Sequence, residues 1–250
     1  MRQVAVTAIL RQVEVLAPNR ASGRRRADNE TLLYAMLKVL ETGMPWRHLE
    51  WPGNGPNYRS VHRHFMAWCR AGVFRSAYQA LLRLYARKTR RGEYHCIDSS
   101  YVKSIYGVAC VGRNPTDRGR NATKMSAIVT DEGLPVSLTF FPANTSDYRT
   151  VYASLDARVS RTRARIPLYA DKGYDSTEVR HALWDAGYVD RVAKRRVRTH
   201  RSTNGRRGIV ERFFSWLDKN RRLIVRYDAT IVAYAGWSWF ACCKLIGGRM

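Results

Sequence analysis

The stretch Leu168-Tyr-Ala-Asp171-Lys-Gly-Tyr-Asp175-Ser176 decides the fold. A short apolar run with strand propensity ends in an aspartate, a glycine turn follows, and Ser176-Thr177-Glu178 opens a helical pattern. This is the pattern of a strand that delivers a carboxylate to the edge of a sheet, with a helix starting just beyond it. A lone aspartate at a strand end is more often a simple turn residue.

Two further stretches change that weighing. Tyr94-His-Cys-Ile-Asp98-Ser-Ser reads as a second short strand ending in an aspartate. Gly208-Ile-Val-Glu211-Arg-Phe-Phe-Ser-Trp-Leu reads as a helix with a glutamate beside an aromatic face. Asp98, Asp171 and Glu211 can therefore converge on a divalent metal.

The rest of the chain supplies the context. Its 250 residues suit one medium domain with a smaller one attached. Lys plus Arg number 44 against 20 Asp plus Glu, a net charge of +24. Such a charge opposes compaction unless a polyanion is present, and it favours nucleic acid as the partner over an anionic membrane or a structural ribosome-like role. The apolar content is too high for a disordered basic tail. The five cysteines form no C-x-x-C pair, which argues against a zinc module or a disulfide framework and for a reducing compartment, the cytoplasm. Met1 to Leu16 holds Arg2, Arg11 and Glu14, so it lacks the apolar core of a signal peptide. Ile231 to Cys243 is too short for a transmembrane span and reads as a buried helix. No membrane association and no small-molecule cofactor are expected.

In chain order, residues 1–17 suit a short helix, and Pro18 to Arg26 forms a basic link ending in Arg24-Arg25-Arg26. That link is either a solvated linker or a phosphate-contacting arm. Asp28 caps a helix carried by Leu32, Leu33, Met36, Leu37 and Leu40 and stopped by Gly43. A turn-rich loop with two tryptophans leads to helices through Tyr58, Val61, Phe65 and Trp68, then Phe74, Tyr78, Leu81 and Tyr85. Residues 1–90 are thus a helical domain, a DNA contact or a prop for the rest. His62 and His64, two apart on a helix, are poor joint metal ligands and read as surface or phosphate-contacting residues.

From Glu93 the pattern turns to strands: His95–Asp98, Lys124–Thr130 and Leu134–Phe141, the last two joined by the hairpin turn Asp131-Glu-Gly133. Helices through Val151 and from Ser176, strands at Pro167–Ala170 and Tyr188–Lys194, a basic loop at Arg195–Arg207, the Glu211 helix and an apolar helix over residues 229–246 complete the chain. This order is that of a ribonuclease-H-like α/β catalytic domain, residues 91–250, behind a small all-helical N-terminal domain.

Phosphodiester chemistry suits such a site. Two divalent ions roughly 4 Å apart can activate a nucleophile and stabilise the leaving oxygen, and Mg²⁺ prefers carboxylate, water and phosphate oxygens. The basic segments 111–124 and 191–207 lie in sequence beside the carboxylates, and Arg120, Lys124, Arg206, Arg207 and Arg212 are candidates to hold DNA. Lys172, Lys219, Arg221, Arg222 and the Arg24–Arg26 run extend that set. Residue by residue, each reads more simply as a solvated side chain; as a set, the clustering favours DNA.

At four places the chain resembles the DDE transposases of bacterial insertion sequences, of the insertion-sequence-five type. These are Trp46-Arg-His-Leu with Val61-His-Arg-His-Phe-Met-Ala-Trp-Cys-Arg-Ala-Gly72; Asp98-Ser-Ser-Tyr-Val-Lys103; Gly133-Leu-Pro-Val with Pro142-Ala-Asn-Thr-Ser-Asp147 and Ala170-Asp-Lys-Gly-Tyr-Asp-Ser176; and Val210-Glu-Arg-Phe-Phe-Ser-Trp-Leu217 followed by Arg221-Arg222-Leu and Arg226-Tyr-Asp228. The resemblance implies Asp98, Asp171 and Glu211 as catalytic metal ligands for two Mg²⁺ or Mn²⁺ ions, and Arg207 as the family's arginine. It implies cleavage at mobile-element ends and strand transfer into target DNA, by a homodimer on the DNA. A catalytically inactive relative that only binds DNA is the alternative. The chain departs from the family at Asn204, where a tyrosine is common, at Asp218, where a lysine is, and at Ser126, where a histidine is.

Overall fold

The computed structural model describes residues 1–18, 27–51, 55–88, 93–159, 165–194 and 202–250, without the side chains of 88, 202–205 and 207. The chain forms two compact units, one of residues 1–89 with 217–250 and the other of residues 90–216.

The first unit begins with α1 (Gln3–Leu16), α2 (Asn29–Thr42), a 3-10 turn (Trp46–His48), α3 (Tyr58–Arg70) and α4 (Val73–Lys88). The expected cap on α2 is present: the Asp28 carboxylate accepts from the Thr31 amide at 3.0 Å. Gly43 ends the helix in the left-handed region at φ 71°, where a side chain is strained. Val61, Phe65 and Trp68 of α3 and Phe74, Tyr78 and Leu81 of α4 are buried.

In the second unit the strands are β1 (His95–Ser104), β2 (Gly112–Arg113), β3 (Asn121–Thr130), β4 (Pro135–Pro142), β5 (Ile166–Ala170) and β6 (Tyr188–Val192). They are joined by α5 (Asp147–Asp156) and α6 (Thr177–Asp185) and followed by α7 (Ser202–Asp218). The sheet order is β2-β3-β1-β5-β6, with β4 also paired to β3. β4, β3 and β1 run antiparallel, whereas β1, β5 and β6 run parallel. An antiparallel meander extended by two parallel strands is the ribonuclease-H-like order. Residues 122–129 of β3 are buried at every position, so this central strand is covered on both faces.

The chain then returns to the first unit through α8 (Arg221–Ile224) and α9 (Ile231–Gly247). The expected boundary assigned residues 91–250 to the sheet domain. Instead, Leu217–Met250 joins the N-terminal helices. The reason lies in α9, which is apolar on nearly every face and needs enclosure on all sides. Trp237 stacks on Phe65 with ring centroids 3.9 Å apart, and Phe240 stacks on Phe74 at 4.8 Å. Gly236 allows the approach of α3, since a Cβ there would lie 2.1 Å from Cys69 Sγ. Arg222 and Asp228 pair at 2.8 Å, both buried.

Three expectations need adjusting. β1 runs six residues past Asp98 because Ser99–Lys103 stays paired with Ala122–Ser126 of β3. The segment expected as a loop over Arg195–Arg207 is helical from Ser202; residues 195–201 lie outside the described ones, as do Arg24, Arg25 and Arg26. His64 is buried, with Nδ1 2.8 Å from the Ser60 carbonyl, and is not a surface residue; His62 is exposed. No helix among the described residues is long and apolar enough to cross a membrane.

Candidate active site

Parallel pairing sets the site. His95 of β1 lies opposite Leu168 of β5, and Cys96 opposite Tyr169. Asp171 is still extended, at φ −75° and ψ 169°. Counted two residues beyond the last paired residues, Asp98 in β1 and Asp171 just after β5 fall at the same register position. Neighbouring strands lie about 4.8 Å apart, close enough for two carboxylates to share an ion. Asp171 stands at the carboxyl end of β5, whereas Asp98 lies within β1, which runs on to Ser104.

Each carboxylate is oriented locally. One oxygen of Asp98 accepts from the Ser99 amide at 2.8 Å, and one of Asp171 from the Lys172 amide at 2.7 Å. The 3-10 turn Lys172–Tyr174 follows Asp171 directly, with Tyr174 fully buried. Burial pushes the Tyr174 hydroxyl far up, and the negative charges of Asp147 and Asp98 add to it.

Asp147, the first residue of α5, belongs to the same place. Its Oδ1 accepts from the Ser99 hydroxyl at 2.8 Å and from Lys124 Nζ at 2.8 Å. In the sequence, Asp147 stands in a loop motif with no evident role. The signal that could have found it is Lys124, a lone cation in the apolar run of β3, which demands a buried partner.

Glu211 sits on an exposed position of α7, between buried Val210 and buried Phe213. Among the described residues, no three carboxylate, imidazole or thiol side chains converge as a metal-ligand group, so Asp98, Asp171 and Glu211 are not brought together as one set. Asp98 and Asp171 offer hard oxygen donors of the kind that Mg²⁺ or Mn²⁺ takes.

The basic residues divide. Lys124 is only 2% exposed and is committed to Asp147 and the Thr145 carbonyl, so it is no phosphate contact. Arg222 is likewise buried against Asp228 and is withdrawn from that role. Arg120, Lys172, Arg212, Lys219 and Arg221 are exposed. Arg206 is exposed too; its guanidinium lies over the rings of Tyr94 and Tyr169 and donates to the Tyr169 hydroxyl. The Arg207 side chain is outside the described set.

Comparison with known proteins adds an independent line. A family model described as "Transposase DDE domain" matches residues 95–243. A second, described as "Putative transposase of IS4/5 family", matches residues 8–77. A Burkholderia cepacia protein described as "Putative transposase for insertion sequence element IS402" is 32% identical over 179 residues, 66% of this chain and 84% of that protein. Among solved structures, a piggyBac transposase synaptic complex with hairpin DNA aligns with a TM-score of 0.55 at 10% identity. That alignment covers 97% of this chain and 71% of the other, and it supports the fold.

Proposed function

The chain belongs to the DDE transposases of insertion sequences, and we propose on that premise that Asp98, Asp171 and Glu211 are the metal ligands of a site that cuts DNA at the ends of a mobile element and joins the freed strand to target DNA. The observation that supports this reading is the parallel register of β1 against β5, Cys96 opposite Tyr169, which when counted on gives Asp98 and Asp171 the same position on neighbouring strands.

When bound, two Mg²⁺ or Mn²⁺ ions supply activation of the attacking oxygen and stabilisation of the leaving one. Asp98 and Asp171 hold the site from two strands. Glu211, set apart on α7, would complete the ligand set. Water is the nucleophile for cutting, and the 3′-hydroxyl so freed is the nucleophile for joining. The exposed Lys172 beside Asp171 and Arg212 beside Glu211 hold the phosphates flanking the scissile bond.

In the helical unit, Arg59, Arg63, Arg70, Arg75 and Arg83 are exposed along α3 and α4 and form the surface for element-end DNA. Two ends must be held together for transposition, which calls for a homodimer on DNA. The place of action is the bacterial nucleoid. No observation favours an inactive relative that only binds DNA.

The test uses purified protein, DNA carrying the repeats that flank its own gene, and Mg²⁺ or Mn²⁺ against EDTA. Asp171→Asn should lower cleavage by roughly three orders of magnitude or more while DNA affinity stays within a few-fold or tightens. Unchanged cleavage in that variant sinks the assignment.

A further inference from the structure

Lys124 is a cation in the interior of a sheet, 2% exposed, with its Nζ 5.2 Å from the centre of the Tyr101 ring. A buried ammonium is costly unless it is paired and hydrogen-bonded. Here it is both, to Asp147 Oδ1 and the Thr145 carbonyl. The pair therefore fixes Asp147 at the first residue of α5, where a carboxylate also meets the positive end of the helix.

Asp147 touches both halves of the aspartate pair's scaffold. Its Oδ1 accepts from Ser99, the residue after Asp98. Its Oδ2 faces Gly173, two residues after Asp171: a Cβ on Gly173 would come within 3.0 Å of that oxygen. Tyr174 completes the contact. It is three residues beyond Asp171 and fully buried, and its hydroxyl lies among Asp98, Asp147, Ser99 and Thr150 without a hydrogen bond of normal geometry. Strand β1, the turn after β5 and the start of α5 all meet on one carboxylate.

We propose that Asp147, anchored by buried Lys124, is a positioning residue that sets the separation of Asp98 and Asp171 before metal or DNA binds. Lys124 is the anchor, Ser99 the link to β1, and the Gly173–Tyr174 backbone the link to the turn. The lysine also offsets the negative charge of Asp147, so that Asp98 and Asp171 remain for cations. The proposal rests on the assignment of Asp98 and Asp171 as ligands, but it makes a claim about the metal-free protein that stands apart from activity.

The experiment has two arms. In the first, amide hydrogen exchange is followed by mass spectrometry on the whole chain without metal or DNA. Ser99→Ala should raise exchange in 171–176 by about tenfold, with the melting temperature unchanged, and Ser99→Thr, which keeps the hydroxyl, should restore it. In the second arm, the double variant Lys124→Met/Asp147→Leu replaces the ion pair with apolar side chains of similar volume. It should melt close to wild type, bind DNA as tightly, and cleave about a hundredfold more slowly.

A double variant with wild-type exchange and cleavage would show that the pair merely fills the core, and it would overturn the proposal. If the double variant does not fold, the Ser99→Ala and Ser99→Thr comparison decides alone. If wild-type protein cuts none of its own ends, the transposase assignment fails, while the exchange arm still tests the positioning role.

Discussion

His95 shows how far one side chain can be pushed by its surroundings. It is buried at the start of β1, with Nδ1 2.8 Å from the Tyr188 hydroxyl. Burial, and after it the charge of Arg158, lowers its pKa to about 4. Arg158 itself lies over the Tyr188 ring. Between pH 4 and the ordinary histidine value of 6.5, the unfolded chain binds a proton that the folded chain refuses. Stability therefore rises with pH across that window and is lost as pH falls, by an amount on the order of 3 kcal/mol in full. Replacing His95 with Gln should flatten the acid limb of a melting-temperature profile between pH 6.5 and 4. A limb of unchanged slope would show that other groups carry it. The residues that make up the site are unevenly legible in the sequence. Asp98 and Asp171 announce themselves as carboxylates ending apolar runs. Ser99 and Asp147 do not, because they meet only when the fold closes 48 positions of chain, and Tyr174 gains its surroundings in the same closure. The charge of Lys124 suggests a phosphate contact; only the buried pattern of β3 reveals that it points inward.

At the level of elements, the hairpin joining β3 to β4 makes a sharp demand. Gly133 has φ 76°, and a Cβ there would meet Trp216 at 2.8 Å and Ile209 at 3.2 Å, both on α7. Gly133→Ala should cost about 2–4 kcal/mol, combining left-handed strain with overpacking, and thermal or denaturant melting measures it. The same substitution at an exposed glycine of ordinary φ would cost far less. The cap of α2 gives a milder case: Asp28→Ala should lose about 1 kcal/mol in the same melts. Helices of the first unit are legible because capping and helical spacing are local signals, and Asp28, Gly43 and the Leu32–Leu40 run carry them all. Strand ends are less so. Tyr101-Val-Lys-Ser looks like the beginning of a loop, and it stays extended because Ala122–Lys124 pairs with Tyr101–Lys103 from another part of the chain. The start of α7 at Ser202 looks like loop from its glycine and arginines, and the tertiary context overrides that propensity.

Across the whole molecule, charge sets the terms of binding. A net charge of +24 implies DNA affinity that falls steeply with salt. Removing a single phosphate-binding charge should reduce the slope of log affinity against log salt by about 0.9. Arg120→Ala and Arg212→Ala should each show that reduction in a titration series, whereas Arg222→Ala should act through stability, because its partner Asp228 is buried. A normal slope with Arg212→Ala would remove that residue from the DNA surface. The boundary between the units is the least legible feature. Sequence shows where strands begin, near Glu93, but it does not show that the last helix leaves the sheet and closes the first unit.

That closure has a consequence during synthesis. Phe65 and Phe74 lack their stacking partners until Trp237 and Phe240 of α9 have left the ribosome. At ordinary translation rates, the residues between α4 and α9 take roughly 10–30 s to make. The sheet unit, whose last residue is Trp216, is complete before then and can fold first. The N-terminal helices are made earliest and mature last, so a growing chain carries an open aromatic seam for most of its time on the ribosome. A message broken within the final helix would yield chains with a finished sheet and an unfinished helical unit, a natural substrate for chaperones and proteases.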